Sequence, residues 1–150
     1  MTQIGMESEI LHATAVAVLG KGIILRGASG SGKSDLAIRL IERGATLIAD
    51  DYVRVTVRPF GLVLGPPPAI TGKIEIRGLG VAELPWTGDV TLALVADLVA
   101  PTKIERMPEP GSCTLLGIDV PRIDIAPFEA SATAKLNMAL RAQAGAQTDQ

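Results

Sequence analysis

The sequence contains few aromatic residues, little cysteine or histidine, and no excess of charge of either sign. Its 150 residues include one cysteine, one histidine and four aromatic side chains, namely one Trp, one Tyr and two Phe. A single cysteine cannot form an internal disulfide, and one Cys with one His cannot build a zinc site. Four aromatic side chains are too few for a protein that reads nucleic acid by base stacking. The net charge of −2 also excludes a strongly basic surface for nucleic acid.

Long hydrophobic runs are missing as well. The longest apolar stretches, residues 13–19 and 90–96, are far shorter than the ~18 residues that a membrane-spanning helix needs. The first twelve residues carry acidic side chains and no basic region ahead of an apolar stretch, which is not the pattern of a secretory signal. We therefore predict a cytoplasmic protein with neither nucleic acid nor a membrane as a partner.

The composition, with 47% hydrophobic and 20% charged residues, is typical of one globular domain of ordinary size. A mean hydropathy of +0.34 is nevertheless high for a chain this small, whose large surface-to-volume ratio favours polar residues. Two interpretations remain open: a core rich in Ala and Val, or apolar surface buried between identical subunits. We expect a single domain over residues 1–150, with flexible segments at 1–9 and 144–150.

The hydrophobic pattern predicts an α/β fold with more strand than helix. Two β-rich runs, 12–19 and 22–26, flank a Gly-Lys-Gly turn and predict a hairpin. Residues 33–43 carry apolar side chains at helical spacing and stop before Gly44, so they predict a helix. An Ala-rich stretch at 129–142 predicts a closing helix. Further strands are predicted at 45–49, 52–58, 61–64, 90–98, 113–118 and 121–125.

The strongest motif is a complete G-x-x-x-x-G-K-S sequence between a predicted strand and a predicted helix. It consists of Gly27, Ala28, Ser29, Gly30, Ser31, Gly32, Lys33 and Ser34. The glycines let successive backbone N–H groups surround an anion, and the helix N-terminus adds its dipole. In such loops the lysine reaches the outer phosphates and the serine hydroxyl binds Mg²⁺. The sequence therefore predicts a site for a nucleoside triphosphate or another polyphosphate.

Two adjacent aspartates, Asp50 and Asp51, follow a predicted apolar strand, at the end of which α/β sheets place ligands. Adjacent side chains of an extended chain point to opposite sides, so one carboxylate can face the phosphate site while the other anchors structure. A carboxylate near a transferred phosphoryl group can orient a metal or accept a hydroxyl proton. The alternative is a surface turn between two strands.

Several weaker signals accompany these motifs. Glu75 and Arg77 share one face of a predicted strand and can present an acid and a base to one site, although edge strands often carry such pairs. His12 is the only histidine, and a structural role is the simpler interpretation for it. Arg106 and Arg122 lie in predicted proline-flanked loops, where arginines are either solvated or grip phosphate.

Together these residues resemble the HPr kinase/phosphorylase family. The resemblance rests on His12, the phosphate loop, Ala-Asp-Asp at 49–51, Glu-Ile-Arg-Gly-Leu-Gly at 75–80 and Val-Pro-Arg at 120–122. The phosphate loop alone is common, whereas its combination with the 49–51 and 75–80 segments is highly specific. The resemblance implies a fold similar to the nucleotide domain of phosphoenolpyruvate carboxykinase, a mixed sheet with flanking helices. It also implies a homo-hexamer, which would account for the high mean hydropathy.

The same resemblance implies an activity. The family uses ATP and Mg²⁺ to phosphorylate a regulatory serine of HPr, the small carrier protein of the phosphotransferase system. It also removes that phosphate by phosphorolysis, in which inorganic phosphate attacks and pyrophosphate leaves. The sequence does not distinguish a sugar-transport carrier from one linked to nitrogen signalling.

Residue roles follow from the resemblance position by position. Asp51 matches the base, Lys33 contacts the outer phosphates, and Ser34 and Glu75 match the metal ligands. His12 and Arg106 match further catalytic positions, and Asp50 and Arg77 adjoin the site. Pro121 and Arg122 match a mobile loop tied to the dephosphorylating reaction.

The chain departs from the family pattern in several places. The match begins almost at residue 1, so we expect a catalytic domain only. Whether sugar metabolites regulate it, as they do some longer members of the family, stays open. Ala13 stands where glycine is common and Asp35 where glutamate is common, but neither change removes a needed group. The segment between Gly80 and Val90 is short, which can alter contacts with subunits or partners.

Three other functions fit the sequence less well. A small-metabolite kinase on a similar loop usually needs a separate lid with several arginines, and no such segment is present. A nucleotide-binding regulator without catalysis would not need His12, Asp51, Glu75 and Arg106 together. A GTPase is disfavoured because no N-K-x-D sequence is present.

Overall fold

The computed structural model describes residues 7–148, and their side chains through residue 143. Within these residues the chain forms eleven strands and two α-helices. In chain order they are β1 (Ser8–Leu11), β2 (Thr14–Val18), β3 (Lys21–Arg26), α1 (Lys33–Glu42), β4 (Thr46–Ala49), β5 (Val53–Arg58), β6 (Gly61–Gly65), β7 (Lys73–Ile76), β8 (Gly80–Glu83), β9 (Val90–Leu98), β10 (Gly111–Leu115), β11 (Ile118–Ile125) and α2 (Ala132–Thr148). Neither of these helices is long and apolar enough to cross a membrane.

The main sheet is mixed and branches at its longest strand, β9. From one edge the order is β4, β2, β3, β9. On the far side of β9, Val90 and Thr91 pair with β6, whereas residues 95–98 pair with β11. From β6 the sheet continues to β5 and β1, and from β11 it continues to β10. Strands β3, β9 and β11 are parallel, so their carboxyl ends meet at one edge, where α/β sheets place ligands.

The two faces of the sheet are covered differently. Both α1 and α2 pack against one face, where the buried apolar side chains include Ile23, Leu25, Leu36, Leu40, Leu136 and Leu140. The other face is covered by the curled strands β5 and β6, and its core includes Ile24, Val53, Val55, Leu62 and Leu64. The expected mixed α/β sheet is therefore confirmed, but the flanking helices lie on one face only, because the sheet curls to cover the other.

A β-bulge lets β9 contribute to both cores. Gly22 pairs with Leu92 and the next residue, Ile23, pairs with Leu94, so Ala93 is an extra residue in β9. An extra residue reverses the alternation of side chains along a strand. Leu92 consequently packs with the curled strands, and Leu94 packs with the helices.

Most predicted elements are confirmed. Strands β2 and β3 form the predicted hairpin. Its turn lies at Leu19 and Gly20, with φ of 52° and 79° as a two-residue hairpin turn requires, and not at residues 20–22, since Lys21 and Gly22 belong to β3. The predicted helix at 33–43 and the predicted strands at 45–49, 52–58, 61–64 and 90–98 also form, within two residues of their expected bounds.

The termini differ from expectation. Ser8–Leu11 forms β1, paired with β5, so residues 8 and 9 of the segment 1–9, for which flexibility was predicted, belong to a strand. The closing helix begins at Ala132 rather than residue 129 and extends to Thr148. Residues 1–6 and 149–150 of the segments predicted to be flexible lie outside the described residues.

The strand predicted at 113–118 is confirmed only in part, because β10 ends at Leu115. A turn at Leu116 and Gly117 separates β10 from β11 there, so the apolar run covers the tip of a hairpin. The strand predicted at 121–125 is confirmed within β11, so the expected position of Pro121 and Arg122 in a loop is wrong. Pairing of β11 with β9 begins only at Arg122, so at Pro121 the strand β11 has β10 as its one neighbour. Because proline lacks only a backbone N–H that a second neighbour would need, its presence there costs little.

Glu75 and Arg77 also differ from the prediction. Glu75 lies on β7, which pairs with β8 in a separate two-stranded sheet. Arg77 lies in the turn after β7, so the two residues do not share one face of a strand. The glycines at 78 and 80, both with positive φ, allow the tight turn that takes Arg77 out of the strand.

Candidate active site

The phosphate loop connects the end of β3 to the start of α1. Gly30 and Gly32 adopt φ of 82° and 103°, a region open to glycine but strained for other residues. Lys33 folds back over the loop, where its Nζ donates to the carbonyl oxygens of Gly27 at 2.8 Å and Ala28 at 3.1 Å. An ammonium group has three protons, so one remains for a phosphate oxygen. The loop thus has the shape and the charge for a polyphosphate.

Asp50 ties the loop to the sheet. Its buried carboxylate accepts hydrogen bonds from the hydroxyls of Ser34 at 2.7 Å and Thr14 at 3.0 Å. The backbone N–H of Glu75 donates to its second oxygen at 3.1 Å. These donors come from α1, β2 and β7, so Asp50 fixes the relative positions of three elements. Of the two adjacent aspartates, this is the one that anchors structure.

Asp51 has the opposite surroundings. Its side chain is 57% exposed, and its Oδ1 lies 2.8 Å from Nε2 of His12. The backbone at Asp51 has φ of 71°, and the N–H of Tyr52 donates to the carbonyl oxygen of Asp50 at 2.8 Å. This is a γ-turn in the left-handed region, a rare and strained conformation. The turn points the carboxylate of Asp51 away from the core.

His12 contacts the carboxylate of Asp51, and Thr14 holds its backbone. The hydroxyl oxygen of Thr14 accepts a hydrogen bond from the backbone N–H of Asp51 at 3.1 Å, while the same hydroxyl donates to Asp50. The ring of His12 lies 5.1 Å from that of Tyr52, centroid to centroid. The strained turn is therefore supported on both sides, as is typical of strained residues at functional sites.

A cleft of about 630 Å³ brings most of the predicted site residues together. It is lined by Ser29, Gly30, Gly32, Lys33, Ser34, Asp35, Ile38, Asp50, Asp51, Glu75, Ile76, Arg77 and Phe128. The cleft thus contains two basic groups, Lys33 and Arg77, and two acidic groups, Asp51 and Glu75. Such a cleft, with a few convergent polar groups, is the usual form of a ligand site.

The donor groups of the cleft suit Mg²⁺. Ser34, Asp50 and Glu75 offer hydroxyl and carboxylate oxygens, the ligands that this ion prefers. Among the described residues, no group of three or more His, Cys, Asp or Glu side chains is arranged to hold a metal by itself. Mg²⁺ is usually held by one or two carboxylates together with substrate phosphates and water, so the residues fit an ion that arrives with a nucleotide.

Arg122 and Arg106 lie apart from this cleft lining. Arg122 donates to Asp97 and Asp124, both at 2.7 Å, and Arg26 donates to both oxygens of Asp97 at 2.7 and 3.0 Å. Arg106 is exposed in the irregular segment after the 3₁₀ turn Pro101–Lys103. Arg122 therefore belongs to a network of ion pairs between neighbouring strands. The predicted role of Arg106 stays a prediction.

The network shifts the pKa of its members. Burial alone would raise the pKa of Asp97, but hydrogen bonds and attraction from Arg26 and Arg122 outweigh it and lower that pKa below its ordinary value. The hydrogen bonds to Asp124 and Asp97 raise the pKa of Arg122. Arg26 and Asp97 lie at the carboxyl ends of β3 and β9, whereas Arg122 lies in the middle of β11. Arg26 directly precedes the phosphate loop.

Comparison with known proteins identifies the family. Residues 5–136 match the HPr Serine kinase C-terminal domain. The chain belongs to this family. It is 38% identical over 109 residues to the HPr kinase/phosphorylase of Bordetella petrii, which covers 65% of this chain and 35% of that protein. With the HPr kinase/phosphorylase of Enterococcus faecalis it shares 37% identity over 127 residues, covering 77% of this chain and 41% of that protein.

The chain therefore spans about two fifths or less of the length of these curated relatives of the HPr kinase family. A solved structure, the Hpr(Ser) kinase/phosphatase from Coxiella burnetii, superimposes with a TM-score of 0.79 at 24% identity, covering 94% of this chain and 96% of that one. At this identity the similarity establishes the curled, mixed sheet with few helices as the fold.

Several residues of this HPr kinase domain that shape the site were not anticipated from the sequence. Thr14 joins Asp50 to the backbone of Asp51, and its only sequence signal is a polar residue within the apolar strand Thr14–Val18. Asp97 and Arg26 are charged residues in otherwise apolar strands, a sign of pairing that the sequence does show. Phe128 reaches the cleft from a segment nearly one hundred residues beyond the loop, which no local pattern predicts.

Proposed function

We propose that this chain is an ATP-dependent protein-serine kinase that phosphorylates the regulatory serine of HPr or an HPr-like carrier, and that it also removes the phosphate by phosphorolysis. The observation that carries the proposal is that Lys33 and Ser34 of the phosphate loop line the same cleft as Asp51, which is exposed and hydrogen-bonded to His12. Membership of the HPr kinase family supports the same function.

In the kinase direction, the serine oxygen of the carrier attacks the γ-phosphorus of ATP and ADP leaves. A carboxylate oxygen of Asp51 accepts the proton of the serine hydroxyl, for which its exposed position in the cleft is suited. His12, 2.8 Å from Asp51, positions that carboxylate. Lys33 places a positive charge on the outer phosphates, which stabilises the transferring group.

In the reverse direction, an oxygen of inorganic phosphate attacks the phosphorus of phosphoserine, and the bond to the serine oxygen breaks. The protonated carboxyl of Asp51 gives a proton to the departing serine oxygen, the converse of its role in the kinase direction, and the attacking hydrogen phosphate replaces that proton on Asp51. The products are the serine hydroxyl and pyrophosphate. The loop that binds the β- and γ-phosphates of ATP is equally suited to hold the pyrophosphate.

Ser34 and Glu75 would hold Mg²⁺, and Asp50 would support Ser34 through its 2.7 Å hydrogen bond. When bound, Mg²⁺ neutralises charge that develops on the phosphate oxygens. Arg77, exposed in the same cleft, supplies a second positive charge beside Glu75.

The remaining proposals concern the whole protein. We propose a cytoplasmic location, a homo-hexamer, and kinship with the nucleotide domain of phosphoenolpyruvate carboxykinase. Exposed large apolar side chains support self-association, among them Leu19, Leu79 and Met107, which are 88%, 83% and 85% exposed. Light scattering of the purified chain tests the hexamer, and a monomeric mass would contradict it.

The test of the activity mixes the purified chain with ATP, Mg²⁺ and an HPr-like carrier, and follows the mass of the intact carrier. We expect the mass of one phosphate to be added at serine, then lost on addition of inorganic phosphate, with release of pyrophosphate. Nucleotide binding without transfer to any carrier of the source cell would contradict the proposal and favour a regulator or a small-metabolite kinase.

A further inference from the structure

Phe128 is an exposed aromatic residue at the entrance of the phosphate site. It lies between β11 and α2, and it lines the cleft beside Lys33 and Ser34. The far edge of its ring lies against Gly32. The approach is so close that a Cβ added to Gly32 would lie only 2.8 Å from Cζ of Phe128. The residue is nevertheless 71% exposed. Most of the ring is therefore available to another molecule.

The backbone around Phe128 is held firmly. The guanidinium of Arg39, on α1, donates to the carbonyl oxygens of Pro127 and Glu129, the residues on either side of it. Pro127 is buried, and the carboxylate of Glu129 lies 3.0 Å from Nζ of Lys135. The exposed ring is thus fixed in position relative to the helix that begins at the phosphate loop.

Phe128 is also unusual among the residues of the cleft. Apart from glycines, the lining is polar except for Ile38, Ile76 and Phe128, and of these three only Phe128 is exposed. Exposed apolar surface costs free energy, whereas a fixed aromatic ring beside a phosphate site offers a stacking surface for a base.

We propose that Phe128 stacks on the base of the nucleotide whose phosphates lie in loop 27–34. This inference rests on the proposed function, because it takes a nucleoside triphosphate as the substrate. Phenylalanine has no hydrogen-bonding group, so the contact provides affinity for a planar base without choosing between adenine and guanine. Base selectivity must then come from other groups.

The test compares ATP with inorganic tripolyphosphate, which has the phosphates but no base. Calorimetric titration in the presence of Mg²⁺ measures both affinities for the wild type, for Phe128→Ala and for Phe128→Leu, which keeps an apolar side chain. Loss of a stacked base typically weakens binding roughly 5- to 100-fold. We expect a loss of this size for ATP and GTP in both variants, and a change of less than about twofold for tripolyphosphate, since stacking acts on the base alone.

Phe60→Ala is the matched control. Phe60 is equally exposed, at 71%, but it lies in the turn between β5 and β6 and is not part of the cleft lining. We expect ATP binding of Phe60→Ala to equal that of the wild type. Because both rings are largely exposed, the melting temperatures of these variants should stay close to that of the wild type.

The possible outcomes separate this inference from the proposed function. If Phe128→Ala weakens ATP and tripolyphosphate equally, or neither of them, the stacking role is wrong while the phosphate site stands. If the wild type binds tripolyphosphate as tightly as ATP, the base contributes nothing and the inference is again wrong. If the wild type binds neither molecule, the proposed function fails together with the inference.

Discussion

Asp50 and Asp51 are adjacent in the chain, yet their side chains are expected to serve different purposes. The carboxylate of Asp51 is exposed and contacts His12, whereas that of Asp50 is buried and accepts three hydrogen bonds. For Asp51→Asn we expect transfer in both directions to fall by about 10²–10⁴-fold, the usual contribution of a general base. Stability should change by less than about 0.5 kcal/mol, because the side chain is on the surface. Carrier phosphorylation, pyrophosphate release and ATP titration measure these effects.

Asp50→Asn is the matching substitution at the buried neighbour. The amide would direct an N–H₂ group at donors from Ser34, Thr14 or the backbone of Glu75, and leave at least one of them unpaired. We expect a loss of about 1–3 kcal/mol in the free energy of unfolding, the cost of an unsatisfied buried group. Urea unfolding measures it. Full transfer activity in Asp51→Asn, or unchanged stability in Asp50→Asn, would contradict this division of roles.

At the scale of elements, Arg39 links α1 to the segment before α2. It donates to the carbonyl oxygens of Pro127 and Glu129 and pairs with Asp35 one turn earlier. For Arg39→Met we expect a loss of about 1–3 kcal/mol in unfolding free energy, since hydrogen bonds from charged donors are lost. Asp35→Asn removes only the i,i+4 pair on the helix and should cost about 0.3–0.5 kcal/mol. Similar losses in the two variants, measured by urea unfolding, would argue against the link between the elements.

The Arg26–Asp97–Arg122 network joins three parallel strands, β3, β9 and β11. Because the pKa of Asp97 is lowered in the folded protein, the unfolded chain binds more protons at this residue, and stability rises with pH. The contribution of Asp97 is present above its unfolded pKa, about 3.9, and is lost as pH falls through the folded pKa. We expect Asp97→Asn to lose about 1–3 kcal/mol at pH 7 and to lose less additional stability than the wild type between pH 5 and pH 3.

Urea unfolding at a series of pH values measures both quantities for Asp97→Asn. Asp124→Asn is the control, because it removes one contact of Arg122 but leaves Arg26 bonded to Asp97. We expect the Asp97 contribution to the pH dependence to persist in this control. If Asp97→Asn and the wild type lose equal stability on acidification, the network does not act on the folding equilibrium as described.

At the scale of the whole molecule, local patterns predict the elements well but not their arrangement. The phosphate loop, α1, and the hairpin of β2 and β3 depend on glycine positions and short periodicities, which a sequence displays directly. The branching of the sheet at β9, the bulge at Ala93 and the placement of both helices on one face depend on contacts between distant residues. The strand predicted at 113–118 extends past the end of β10 for a related reason, since the apolar run continues through the turn at Leu116 and Gly117.

The candidate site likewise combines residues that local patterns predict with residues that depend on distant contacts. Lys33, Ser34, Asp50 and Asp51 follow from motifs and strand ends, and the structure does bring them into one cleft. The separate surroundings of the two aspartates depend on Thr14, which is distant in sequence and carries no motif. Arg122 falls within the strand predicted at 121–125, which is confirmed. Its expected position in a proline-flanked loop is wrong, because pairing with two strands outweighs that local preference.

Binding of ATP should stabilise the whole domain, because a ligand that binds only the folded state shifts the unfolding equilibrium. At a free concentration near one hundred times the dissociation constant, the gain is about 2.7 kcal/mol. For a chain of this size, each kcal/mol raises the melting temperature by about 2–4 °C, so we expect a rise of roughly 5–10 °C with MgATP.

Lys33→Met should abolish the rise in melting temperature, because the charge that faces the phosphates is lost. Lys103→Met, at an exposed lysine outside the cleft, should retain it. Thermal unfolding with and without MgATP decides the matter, and an equal rise in Lys33→Met would place the nucleotide elsewhere on the molecule.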